Sequence, residues 1–380
     1  MKIVVNTRLL IKNQLSGIGW FKYHVLKRLV REHSDHTFVF LFDRKFDEEF
    51  IFGPNVIPEV IFPPARHPVL WYLWFQSSIV RAIHKHDPDL FFSPDGYLST
   101  RIKNIPSVPV IHDINFQHKK RDVPFFDGLF WRYYFPKYAK MASRIITVSE
   151  FSKKDIMSTY RIPADKIDVA YNGAGEDFIP LNDKLKLQVK INYTHGEDYF
   201  IYVGALVPRK NLEGMILAFD RYKEGSGSKN KLIIVGDRLF FTSEMNRVYM
   251  NAKYKNDIIF TGRVEQEQLV QLVGGALGLL LVSYFEGFGV PVIEAMSADV
   301  PVITSNTSSL PEIANDAALL VDPYSVGSIA DAMMKISNDE QLRLALIKKG
   351  KIQRKYFSWD KTAAVIWNCF EKVMDNSKNS

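Results

Sequence analysis

The chain has 380 residues, 47% hydrophobic and 24% charged, enough for two domains that each bury a core of their own. A single cysteine, Cys369, excludes an internal disulfide framework and a cysteine-rich metal site, and suits a reducing cytoplasm. The formal charge of +7 is uneven: residues 1–179 carry 25 Lys and Arg against 19 Asp and Glu, the remainder 24 against 23. A basic N-terminal half can meet an anionic membrane surface, a lipid pyrophosphate or nucleic acid, or simply present a solvated face.

In chain order, MKIVVNTRLL enters directly on a strand-like run, with no charged leader ahead of an apolar signal core. The most apolar stretch, residues 272–285, falls short of the about 20 residues a bilayer span needs. A cytoplasmic protein, soluble or peripheral on the membrane, is expected. Ser16-Gly17-Ile18-Gly19 follows the first run and opens a helix over 18–32, with Phe21, Val25, Leu26, Leu29 and Val30 at helical spacing. The glycine pair allows a ligand close to the backbone, but the third glycine of a dinucleotide fingerprint is missing. TFVFLF, LFFSP, VPVIHDI and RIITVSE read as further strands. Asp87-Pro-Asp89 has the spacing of a metal-binding pair, yet it precedes LFFSP and its proline favours a plain turn. VPVIHDI brings His112 and Asp113 to a strand end, where a neutral imidazole could accept a hydrogen bond from a hydroxyl. Residues 125–138, FFDGLFWRYYFPKY, hold eight aromatics with Arg132 and Lys137. With Trp71, Trp74 and Phe75 they suit either a membrane-facing surface or ordinary core packing.

The polar stretch 180–196 reads as a linker between a domain over 1–180 and another over 197–356. The second domain repeats the pattern with YFIYVGAL, KLIIVGD, DIIFTGR, LGLLLVS, VPVITS and AALLVDP as strands. Strands alternating with helices indicate an α/β fold with parallel sheets, whose C-terminal strand edges face ligands. The loop after YFIYVGAL carries Gly204, Arg209, Lys210 and Asn211 ahead of the helix-like LEGMILAFDRY, a position suited to phosphate. Gly262-Arg263 ends another strand. Residues 279–296, LLLVSYFEGFGVPVIEAM, read as a strand, a loop with Gly287, Phe288 and Gly289, and a short helix from Pro291. Free amides of its first turn make a phosphate cradle, bracketed by Glu286 in the loop and Glu294 in the first turn. FSWDKTAAVIWNCFEKVMD, residues 357–375, reads as an amphipathic closing helix.

The Glu286 to Glu294 block resembles the signature of glycosyltransferase family 4, retaining enzymes whose chains fold as two Rossmann-like halves facing across a cleft (the GT-B fold). The loop 204–211 is similar to the family's glycine–x4–Arg–Lys loop, with Ala205 where many members carry Arg, so that Arg209 is the candidate to take over that role. SGIG, VIHDI, TVSEFSKKDI (Ser149, Glu150), VAYNGAGEDF (Asn172, Gly173) and SSLPEIANDAALLVDP (Pro311, Glu312) look like further family elements. The resemblance runs from the first strand to the closing helix, which in the family packs back on the N-terminal half. It implies that Glu286 faces the donor sugar, Glu294 bonds the ribose, and Arg209 and Lys210 grip the donor diphosphate. Gly17, Gly204, Gly287, Phe288 and Gly289 line the donor site, Arg263 lies by the base, and His112 lies by the donor sugar or acceptor.

The same resemblance, closest to bacterial mannosyltransferases of surface-polysaccharide assembly, implies GDP-mannose as donor and a glycan or polyprenyl-diphosphate-linked acceptor. No metal and no cofactor beyond the nucleotide sugar is expected. UDP-sugars stay open, as do an epimerase or synthase of the same fold and a catalytically silent nucleotide-sugar-binding subunit. Nucleic-acid binding has no recognised motif in the chain.

Overall fold

The computed structural model describes residues 1–65, 67–119, 122–237 and 241–378, with side chains to 376. By its internal contacts the chain divides into two units: Met1–Asn172 with Trp359–Ser380, and Gly173–Ser358.

Unit 1 begins with β1 (Lys2–Asn6), α1 (Gly17–Glu32), β2 (Thr37–Phe42) and β3 (Val56–Val60), followed by the short helix α2 (Pro68–Leu73). β4 (Leu90–Ser93), β5 (Ser107–Pro109), α3 (Phe125–Met141), β6 (Ile145–Thr147), α4 (Glu150–Tyr160) and β7 (Ile167–Val169) complete it. The five-stranded sheet has the order β3-β2-β1-β4-β5 and is parallel throughout, with Val4 beside Val39 on one side and Phe91 on the other. The pair β6–β7 adjoins it through a single bridge, Val110 to Ile146. Ile3, Val4, Val5 and residues 38–41 are fully buried, as expected of strands covered on both faces. β3 and β7 have no counterpart among the expected strands. Pro58 and Glu59 break the apolar run of β3, which a sheet tolerates because β3 is an edge strand. The closing helix Trp359–Lys378 belongs to this unit, with Phe370 edge-on to Phe92 at 5.0 Å. Asp168 ties it down, accepting from Arg144 Nε at 2.7 Å and from Lys372 Nζ at 3.1 Å.

Unit 2 opens with α5 (Asp183–Thr194), inside the stretch expected to be a linker. Asn182 caps this helix by accepting from the Leu185 amide at 2.9 Å, while Val189 and Thr194 are buried. Leu185, Leu187 and Ile191 remain exposed, which is why its apolar periodicity reads weakly. There follow β8 (Tyr199–Val203), α6 (Leu212–Ser226), β9 (Lys231–Val235), β10 (Ile258–Gly262) and β11 (Gly278–Leu281). Last come α7 (Val290–Ser297), β12 (Val302–Ser305) and β13 (Leu319–Val321). The six strands run parallel in the order β10-β9-β8-β11-β12-β13. All end at one sheet edge, and the expected donor-site loops of this unit leave from that edge.

The loops there meet closely. Gly204 N–H donates to Val235 O at 3.0 Å and Gly236 N–H to Gly262 O at 3.0 Å. Gly236 has a φ of +151°, and a Cβ on it would overlap the Gly204 carbonyl oxygen. Gly236→Ala is therefore expected to cost about 2 kcal/mol or more, since backbone cannot give way as a flexible side chain can. Urea denaturation measures this; a midpoint equal to wild type would contradict the packing described.

Candidate active site

Unit 2 gathers its charged residues from two loops. The first follows β8 and runs through a 3-10 turn, Pro208–Lys210, into Asn211, whose φ of 59° is left-handed. Asn211 is completely buried, and its Nδ2 donates to Val282 O at 3.0 Å and Pro323 O at 2.8 Å. Its Oδ1 accepts from the Gly214 amide at 3.1 Å and so caps α6. One side chain thus fixes the end of the basic loop to the segments leaving β11 and β13.

The second loop follows β11. Glu286 is 5% exposed, and its carboxylate accepts from Arg209 Nη1 at 2.9 Å, from Ser283 Oγ at 2.7 Å and from Lys210 Nζ. Burial alone would raise its pKa; Lys210 and then Arg209 outweigh that, helped by the Ser283 hydroxyl, and hold it at about 2. Glu286 is accordingly an anion at neutral pH, able to accept hydrogen bonds and unable to act as an acid. Further bonds from Arg209 Nη1 to Phe285 O at 2.9 Å and from Tyr284 N–H to Arg209 O at 2.8 Å bind loop to loop.

The loop after β12 braces the other side. Ser308 Oγ accepts from the Glu286 amide at 3.1 Å, and Ser309 Oγ donates to the carbonyls of Glu286 and Phe288 at 2.9 and 3.0 Å. Gly289 turns the chain into α7 with a φ of +103°, where a Cβ would lie 2.7 Å from a Leu310 methyl. Pro291 sits in the first turn of α7, as expected, but the helix begins at Val290 and Glu294 lies beyond its first turn. Glu294 is half-buried, and burial raises its pKa to about 8. The two glutamates are opposites: one is paired and ionised, while the other holds its proton at neutral pH.

The structure places the remaining expected residues as follows. Gly204 lies at the start of the basic loop, and Arg263 is exposed at the end of β10. The Phe288 side chain is buried, edge-on to Phe357 at 5.6 Å, so that only its backbone faces the loop. Gly17 and His112 belong to unit 1. A Cβ on Gly17 would meet open space. His112 Nε2–H donates to Pro94 O at 2.9 Å, and since a carbonyl can only accept, this fixes the proton on Nε2 and leaves the Nδ1 lone pair available. Burial lowers its pKa, keeping the ring neutral. Ser149 caps α4 by accepting from the Ser152 amide at 3.0 Å, and Asp113 accepts from the Asn115 amide at 3.0 Å. Asp87 ends the helix Ile79–His86 and Asp89 accepts from the Lys2 amide at 2.7 Å, so the DPD segment is the connection from that helix into β4. Among the described residues no group of three or more His, Cys, Asp and Glu is placed to hold a metal ion.

Two family models together cover most of the sequence: Glycosyltransferase Family 4 matches residues 15–177, and Glycosyl transferases group 1 matches residues 183–353. The chain belongs to these glycosyltransferases. It is 27% identical to O-antigen chain mannosyltransferase B of Escherichia coli over 98% of this chain and 100% of that protein. It is 26% identical to the O-antigen chain mannosyltransferase RfbU of Salmonella typhimurium over 90% and 92% of the two chains. Anabaena Alr3699/HepE, solved in complex with UDP and glucose, superposes with a TM-score of 0.77 at 17% identity, covering 98% and 99% of the chains. The fold is thus GT-B, with two Rossmann-like units.

For this glycosyltransferase, sequence reading missed Asn211 as an anchor and Ser283, Ser308 and Ser309 as braces. An Asn between a basic turn and a helix is a recognisable cap signal, but its contacts with Val282 and Pro323 span 71 and 112 residues.

The raised Glu294 pKa has a consequence for stability. Folding favours its protonated form, so the group is neutral to stability below its unfolded pKa of 4.5 and costs progressively more up to about 8. Glu294→Gln is therefore expected to match wild type near pH 4.5 and to exceed it by about 1 kcal/mol or more at pH 8.5. Denaturant titrations at the two pH values give the comparison, and a pH-independent difference would refute it.

Proposed function

We propose that this glycosyltransferase moves mannose from GDP-mannose, with retention of configuration and without a metal ion, onto a glycan or polyprenyl-diphosphate-linked acceptor of surface-polysaccharide assembly. The observation that carries the reading is the cluster of Glu286, Arg209 and Lys210 in the loops at the C-terminal edge of the unit 2 sheet, ahead of α7. A departing nucleoside diphosphate concentrates negative charge as its bond to the sugar breaks, and fixed cations and amides answer that charge without a metal. The names of the O-antigen relatives support mannose as the sugar and a bacterial surface glycan as the product.

In this proposal Arg209 and Lys210 meet the diphosphate from the positions in which Glu286 holds them, and Glu286 faces the sugar. Gly204, Gly287, Gly289 and the Phe288 backbone line the donor pocket. Glu294 bonds the ribose hydroxyls and Arg263 lies by the base. Unit 1 holds the acceptor, with Gly17 near the donor phosphates and His112 Nδ1 accepting from a sugar hydroxyl. The acceptor oxygen attacks the anomeric carbon on the face the diphosphate leaves. The new C–O bond forms as the old one breaks, and the acceptor proton passes to the departing phosphate oxygen. No carboxylate pair of glycosidase type is invoked.

No helix among the described residues is long and apolar enough to cross a membrane. In the aromatic segment Phe135 and Tyr138 are buried in the core of unit 1, and Phe130, Trp131 and Tyr134 pack against it. On the same helix, α3, Phe125 and Phe126 are 72% and 73% exposed, and Leu129 and Tyr133 are also exposed. That face supports a peripheral position on the inner surface of the cytoplasmic membrane, where a lipid-linked acceptor is presented.

The test is incubation with GDP-, UDP- and ADP-sugars and lipid-linked acceptors in the presence of a chelator, followed by analysis of nucleoside diphosphate and product. GDP-mannose is expected to be consumed with formation of an α-linked product. Lys210→Ala and Glu294→Ala are each expected to weaken donor binding roughly tenfold or more. Absence of turnover and of nucleotide-sugar binding with every donor would falsify the reading; unchanged donor affinity in both variants would refute the site.

A further inference from the structure

Unit 1 carries a second charged cluster at the C-terminal edge of its own sheet. Arg8 follows β1, Asp95 follows β4, and Lys22 comes from the second turn of α1. Asp95 Oδ2 accepts from Arg8 Nε at 2.9 Å and from Lys22 Nζ at 3.1 Å. Its Oδ1 accepts from Asn6 Nδ2 at 2.6 Å and Ser93 Oγ at 3.2 Å. The neighbouring Asp43 is already matched by Arg44, which grips it with two bonds of 2.7 Å. One carboxylate therefore serves two cations. The side chains of Arg8, Lys22 and Asp95 are 8%, 0% and 1% exposed, so the surplus positive charge is held almost out of water. Such a charge is costly unless an anion offsets it. Lys22 registers the cost: burial lowers its pKa, Asp95 pushes back, Arg8 lowers it again, and it settles at about 8.

The two cations differ in what they have left to give. Lys22 divides its donors between Asp95 and the Asn6 carbonyl at 3.2 Å. Arg8 spends only Nε, so both of its terminal NH2 groups are without a hydrogen-bond partner among the described residues. They are nonetheless rigidly aimed. The guanidinium carbon lies 4.6 Å from the centre of the Tyr97 ring and 5.8 and 5.9 Å from those of Phe75 and Trp71. Tyr97 is itself fixed by Trp131 Nε1–H, which donates to its Oη at 2.5 Å. A planar fork of unspent donors, walled by aromatic rings at a ligand-facing sheet edge, has the geometry for two-pronged recognition of an oxyanion.

We propose that Arg8 anchors an oxyanion carried by the acceptor: the phosphate or diphosphate of a carrier, or the carboxylate of an acidic sugar. The word acceptor rests on the glycosyl-transfer reading; the oxyanion site rests on the cluster alone. A neutral glycan could accept from the four N–H donors but would leave the surplus charge unanswered.

The experiment uses the full chain with GDP at saturation, so that the donor site is filled. Inorganic pyrophosphate, methyl phosphate, methyl glucuronide and, as neutral control, methyl α-mannoside are titrated by calorimetry. Wild type is expected to bind at least one of the anions more tightly than the mannoside. The order among them separates a carrier phosphate from an acidic sugar. Arg8→Gln is expected to weaken that binding roughly tenfold or more while GDP affinity stays unchanged. Arg8→Lys keeps the charge, loses the fork and should fall between; it carries the comparison if thermal melting shows Arg8→Gln unfolded. Absence of anion binding to GDP-saturated wild type, or unchanged affinity in the folded variant, overturns the proposal. If GDP itself does not bind, the donor reading falls, and the same wild-type to Arg8 comparison without GDP still decides this one.

Discussion

The arrangement of unit 2 depends on one carboxylate held between two cations. Glu286 is nearly sealed from solvent, and an isolated carboxylate there would take up a proton before it stayed charged. Arg209 and Lys210 prevent this, and in doing so they draw the loop after β8 against the loop after β11. The rest of the edge follows from that contact. With Glu286 fixed, Ser308 and Ser309 can meet its backbone, Gly289 can turn the chain, and α7 leaves from the same edge. A buried ion pair contributes little net stability against an apolar replacement. Its value here is positional: a charge cluster of fixed geometry at the place where phosphate charge has to be met.

Asn211 shows why such a cluster needs neutral support. Its left-handed backbone ends the basic loop, and its amide satisfies two carbonyls that would otherwise be buried without partners. Cations on long side chains lose considerable entropy on being ordered, so a loop that must present them is better anchored by a short polar residue behind them. Glu294 stands apart from this network. It is half-buried with a pKa of about 8, and its side chain has no hydrogen-bond partner among the described residues.

What the sequence made legible was whatever is local. The buried parallel strands read as apolar runs because both faces of each sheet are covered, and the loops after them were recognisable from glycine, proline and charge within a few residues. Local signals also failed where tertiary context decides. α5 was hidden because its outer face keeps Leu185, Leu187 and Ile191 exposed, and β3 was hidden because an edge strand can tolerate Pro58. In the site, Glu286, Arg209 and Lys210 were identified singly, yet their pairing bridges 76 and 77 residues, which no local pattern shows. Arg8, Lys22 and Asp95 were not identified at all. They lie in three different elements, and each alone is an ordinary charged residue.

The two clusters obey the same electrostatic rule although no motif is shared between them. In unit 2 Glu286 is set against Arg209 and Lys210; in unit 1 Asp95 is set against Arg8 and Lys22. Each lies at the C-terminal edge of a parallel sheet, and each holds one more cation than anion. A carboxylate between two cations does two jobs that cations alone cannot do. It keeps them charged despite burial, and it holds them in place against their mutual repulsion. The charge left over is then a fixed field, directed before any ligand arrives, which an incoming anion can meet without the protein having to reorganise. The basic surplus of the N-terminal half, read from composition as a diffuse property, is thereby concentrated in part at one buried guanidinium with its donors unspent.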